Sequence, residues 1–132
     1  MPNCYINQIT HLYETYAKTK YLMIKAEELD SEKSQTYLQP RLELYQAFDH
    51  LILAYQDANE HNIEINLAPS IKHVKTAFFD IADWIIMLIR QIVNNELREY
   101  DSEVIKTALP DYYSVIRPGI DYLSKAISEN CE

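Results

Sequence analysis

Asp49 and His50 stand side by side inside an apolar run, Ala47-Phe48-Asp49-His50-Leu51-Ile52-Leu53. A histidine near a carboxylate can move protons close to neutral pH. On a helix, however, neighbours in sequence point about 100° apart, so these two side chains do not aim at one substrate. His50 stands one turn from Gln46 and two turns from Glu43 and Asp57, which places it on a polar helix face. A second set runs Asp80, Asp83, Arg90 and Asn94, and its spacing lays the four on one stripe of a helix. Asp49, His50, Asp80 and Asp83 are thus the candidate polar cluster of this chain.

A carboxylate stripe in a helical protein is one half of a di-metal centre. The other half is a Glu-x-x-His motif on each of two helices. None occurs here, and the nearest approach, His11 with Glu14, has the order reversed. His11, His61 and His73 show no ligand spacing with one another, and the two cysteines, Cys4 and Cys131, stand near opposite ends of the chain. With Gly119 as the single glycine, no phosphate-cradling loop, dinucleotide fingerprint or nucleophile elbow can be built. No catalytic residue, metal ligand or cofactor is therefore expected.

The elements that must position these residues are helices. Ile71, Val74, Phe78, Ile81, Ile85, Leu88 and Ile92 alternate steps of three and four, the seam of a long helix packed along its length. Pro69-Ser70 opens this helix, which is expected to run to about Glu99. A first helix reads from Asn3 to Glu28 on Tyr5, Ile9, Leu12, Tyr16, Met23 and Ala26, with Thr19 filling one position. Asp30-Ser31 is the next start signal. A proline is tolerated in a first turn but not in an interior, so the second helix is expected to begin near Gln39, ahead of Pro40. Its predicted face is Leu44, Phe48, Leu51 and Tyr55, flanked by Leu42, Tyr45, Ala47, Ile52 and Ala54. Ile63-Glu64-Ile65-Asn66-Leu67 alternates at period two and reads as a short extended connection. Asp101-Ser102 opens a last helix whose seam is Leu109, Tyr112 or Tyr113, Ile116, Ile120, Leu123 and Ile127. The expected fold is all-α: one domain over residues 1–132, an antiparallel four-helix bundle with kinks or restarts at Pro40, Pro110 and Pro118. That topology sets Cys4 and Cys131 at the same end of the molecule.

Composition narrows the function classes. The net charge is −8, from 12 basic and 20 acidic residues, with the excess concentrated in residues 31–62 and 101–132. That balance opposes non-specific nucleic-acid binding and docking on anionic membranes. The start of the chain has neither a basic opening nor an apolar run, and the most apolar stretch, Trp84 to Val93, is too short to span a bilayer. A cytoplasmic protein is expected. Tyrosine is in excess, eleven in 132 residues, and it is a residue enriched where an apolar body must keep a wet hydroxyl, as at protein interfaces.

These features point to a non-enzymatic interaction or regulatory protein, working through its surface on a protein partner or as a homo-oligomer. Trp84 to Val93 is apolar on more than one side, so the third helix should be either the most buried or half of a dimer interface. Two other classes fit less well. One is an acidic inhibitor of phage or antitoxin type that mimics nucleic acid, and the other is a small helical RNA-processing enzyme using His50.

Overall fold

Helix α1 spans Asn3–Leu29, α2 Leu38–Gln56, α3 Glu60–Leu97, α4 Ser102–Ala108 and α5 Arg117–Asn130, with a π-helical turn at Tyr112–Ile116 ahead of α5. This computed structural model describes residues 3–30, 38–57 and 59–130, and no strand occurs among them. The fold is all-helical, as the periodicity requires. The chain divides into two compact units, residues 1–81 and 82–132.

In the first unit, α1 buries Tyr5, Thr19 and Ala26. All three lie on the seam expected for it. Thr19 is able to occupy a fully buried position because its hydroxyl donates to the Thr15 carbonyl at 2.7 Å, satisfying the polar atom within the helix. Tyr5, Ile63 and Leu67 form a small core on which Ile9, Leu12, Leu51, Tyr55 and Ile71 pack. The Tyr5 hydroxyl donates to Glu64 at 3.2 Å.

α2 starts at Leu38, which places Pro40 in the first turn, where its missing N–H costs nothing. Its buried residues are Pro40 with Ala47 and Ala54, two of the residues expected to flank the face, while the four expected at its centre are less buried. Leu44, Leu51 and Tyr55 are half-buried, and Phe48 is 61% exposed. The reason is steric: small side chains let two helix backbones approach closely, and the face carrying them becomes the contact face.

α3 carries more buried side chains than any other helix among the described residues: Ile63, Leu67, Ser70, Val74, Ala77, Ile81, Ile85, Ile86 and Leu88. The seam read from Ile71 onward therefore starts two turns earlier. The segment 63–67 is not an extended connection but the first turns of this helix. Ile63 and Leu67 share a face at a spacing of four and are buried, while Ile65 between them is 53% exposed. Two apolar pairs at period two are equally one apolar pair at period four, and burial follows the helical one. Pro69 accordingly stands inside α3 rather than opening it. At the other end of the seam Ile92 is exposed.

In the second unit, Asp101 caps α4 by accepting the Val104 N–H at 2.9 Å, as its position before the apolar pattern implies. α4 is only seven residues long. It stops because Pro110 drives Leu109 out of the helical region, to φ −130° and ψ 78°. The expected interruption at Pro110 is therefore present. The chain restarts through the π turn, and Pro118 then sits in the first turn of α5. Cys131 and the side chain of Cys4 fall outside the described residues, as does Ser31 of the Asp30-Ser31 start signal.

Candidate functional site

Two helices carry matching stripes of small and polar residues, and the fold brings the stripes together. On α2 the stripe is Glu43, Ala47, His50 and Ala54; on α3 it is Asn66, Ser70, His73 and Ala77, with the same steps of four, three and four. The contacts run in reverse order. His73 Nδ1–H donates to Glu43 Oε2 at 2.6 Å, the Ser70 hydroxyl donates to the Ala47 carbonyl at 2.7 Å, and His50 Nδ1 lies 3.1 Å from Asn66 Oδ1. Partner numbers on α3 fall as those on α2 rise.

Between these bonds the imidazoles of His50 and His73 stack, centroids 5.4 Å apart and 16° from parallel. The tautomers follow from the partners. A carboxylate only accepts, so Nδ1 of His73 carries the proton toward Glu43. Asn66 donates its amide to the Asn62 carbonyl at 3.0 Å, which turns its oxygen toward His50 and makes that Nδ1 the donor as well. The cluster is sheltered: the Glu43 side chain is 14% exposed and that of His73 27%. Ser70 is fully buried.

Of the expected cluster, the structure keeps His50 in a polar arrangement with Glu43 of its own helix face, and adds two α3 residues that the sequence did not join to it. Asn66 and His73 are these two, and Asp49 points into solvent on the other side of α2. Asp80 is half-buried on α3. Asp83 is exposed and lines a recess in the second unit with Arg90, Asp121 and Lys125, where Arg90 pairs with Asp121 at 2.6 Å. His73 stands outside every ligand spacing, yet the repeated four-three-four step of polar and small residues on two helices was a signal for it. Among the described residues, no three histidine, cysteine or acidic groups are placed to hold a metal ion.

Beside this interface α1 and α2 enclose an apolar groove of about 500 Å³. Leu12, Tyr13 and Tyr16 of α1 face Leu44, Tyr45, Phe48 and Leu51 of α2, with Ser70 and Val74 at its floor. None of the stacked histidines or their acceptors lines it. The groove continues onto the outer face of α2. Of the eleven exposed residues of that helix, six are large and apolar: Leu38, Leu42, Tyr45, Phe48, Ile52 and Leu53. Only Arg41 and Asp49 among the eleven are charged. α2 thus buries small residues, holds Leu44, Leu51 and Tyr55 half-buried, and leaves its other large apolar residues facing solvent, an exposed apolar stripe of unusual extent for one helix.

No helix among the described residues is long and apolar enough to cross a membrane. Compared with protein families, with curated proteins and with solved structures, the chain matches none.

Proposed function

We propose that this is a non-enzymatic, cytoplasmic interaction protein whose binding surface is the outer face of α2 with the adjoining groove. One observation carries the reading: six of the nine large apolar residues of α2 face solvent on a helix of 19 residues, two of the six being the aromatic residues Tyr45 and Phe48. Aromatic residues with few charges among them are the composition of an interface core, and an exposed stripe of this kind marks a contact with another protein. The polar cluster then has a structural part. It fixes the register of α2 on α3, so that the apolar residues of α2 are held outward.

The architecture proposed with this function is the antiparallel four-helix bundle. Two pairings within residues 1–81 support it. The reversed order of contacts between α2 and α3 makes that pair antiparallel. Tyr5 beside Glu64, and Ala17 to Leu22 beside Phe78, run in the same sense along α1 and α3.

The test is a photo-crosslinking amino acid placed in turn at positions 48, 52 and 125 of the full chain in the cells that make it. Protein adducts are expected from 48 and 52 and none from 125. Equal yields at the three positions, or none at 48 and 52, would remove the reading.

A further inference from the structure

We infer that the outer face of α2 is covered by α2 of a second copy of this chain, in an antiparallel pair centred on Tyr45. This rests on the interaction reading above and names its partner.

Counted outward from Tyr45, Leu42 and Phe48 stand three residues away on either side, Arg41 and Asp49 four, Leu38 and Ile52 seven. All lie within about 60° of the direction in which Tyr45 points. Reversing the helix about Tyr45 exchanges apolar with apolar and basic with acidic. A face with that property is complementary to itself, as the interface of a two-fold dimer must be. A chain of net charge −8 repels its own copies over most of its surface. Of the charges that α2 itself puts on this face, Arg41 and Asp49 cancel, and Glu43, the other acidic residue of α2, is turned inward to His73.

Packing geometry agrees. Arg41, Tyr45 and Asp49 form one ridge at spacing four. When two helices pack such ridges at the common crossing angle of about −50°, the ridges run alongside each other. With the order reversed, Arg41 of each copy lies at the height of Asp49 of the other. Arg41 already holds Glu27 at 3.0 Å and is still 46% exposed, and a guanidinium has donors for a second carboxylate. The groove beside Tyr45 and Phe48 leaves room for large side chains of the second copy. Tyr13 and Tyr16 on its α1 side widen the footprint beyond one helix face.

Sedimentation of the purified full chain tests this. Wild type should move from monomer to dimer between about 1 and 200 μM, the weak end of the affinity range for small interfaces. R41D and D49R should each weaken the dimer roughly tenfold, because each sets like charges side by side. Mixing the two single variants should restore it, since the R41D copy then offers acids to the bases of the D49R copy at both ends. Circular dichroism melts should match wild type for D49R and show only a small loss for R41D, which also gives up the exposed Arg41–Glu27 pair, so both variants stay folded. A wild type that stays monomeric, single variants that dimerise unchanged, or a mixture that does not recover would each overturn the pairing. Should purified protein be monomeric while positions 48 and 52 still crosslink to another protein in cells, self-pairing is wrong and the interaction surface stands. Without crosslinks both fall.

Discussion

At 2.6 Å, with most of both side chains shielded, the Glu43–His73 hydrogen bond is the strongest single polar link between α2 and α3. Removing one partner leaves the other sheltered from water without its bond. His73→Ala and Glu43→Ala should each lower unfolding free energy by about 1–3 kcal/mol, and the double variant should cost less than their sum. Urea unfolding of the four proteins measures this, and a coupling energy of zero would mean that the pair contributes nothing. Tyr55 offers a second check. Burial holds its phenol protonated above its ordinary value of 10.0. With the folded value raised above the unfolded one, the contribution of the neutral phenol is intact below about pH 10 and is lost as pH rises through the folded value. Tyr55→Phe should therefore flatten the alkaline loss of stability, while absorbance at the phenolate band should show one tyrosine fewer ionising late. An unchanged alkaline profile would place the titration elsewhere. The Glu43–His73 pair was not legible as a pair in the sequence. Thirty positions separate Glu43 from His73, and only a helix–helix contact brings them together.

Among the elements, α3 decides how the chain is organised. Its first turns read as extended because Ile63, Ile65 and Leu67 alternate with polar residues. Their burial separates the two conformations cleanly. If the segment were a strand, all three would share a face, and in the helix Ile65 is alone outside. Leu67→Ala should cost about 2–5 kcal/mol, the ordinary loss for a fully buried leucine. Ile65→Lys should stay within about 0.5 kcal/mol. Thermal melts of the two variants check this, and comparable losses would return the segment to an extended form. Pro69 misled for a related reason. A proline ahead of a serine is a good helix start, yet at an interior position its cost of about 3 kcal/mol is borne by a helix that buries a seam along most of its length. Where no such seam overrides it, proline behaves as expected: Pro110 ends α4, and Pro118 enters α5 in its first turn.

For the whole molecule, the charge of −8 and the apolar face of α2 act against each other. Like charge on two copies opposes their approach, and salt screens it, whereas apolar contact is little affected. Self-association should therefore tighten, by roughly threefold to tenfold, between about 0.02 and 0.3 M sodium chloride. Sedimentation at the two salt concentrations reads it, and weakening with salt would show that ion pairs and not apolar contact hold the dimer. The all-helical class, the position of α1, the start of α2 and the cap of α4 were legible in the sequence, because each depends on residues within a few turns of one another. Periodicity, capping and the placement of proline are local, and local patterns survive without a partner. Which face of α2 turns inward was not legible. By hydrophobicity alone Leu44, Phe48, Leu51 and Tyr55 make the better seam, and the stripe of Glu43, Ala47, His50 and Ala54 looks like a surface. A second helix with a matching stripe of small and polar residues turns the helix part of the way from that choice, keeping Leu44, Leu51 and Tyr55 half-buried and leaving Phe48 exposed. Close approach of the Ser70 side chain to the Ala47 carbonyl and three hydrogen bonds across α2 and α3 then outweigh the fuller burial of larger side chains, and six large apolar residues of α2 are left facing solvent.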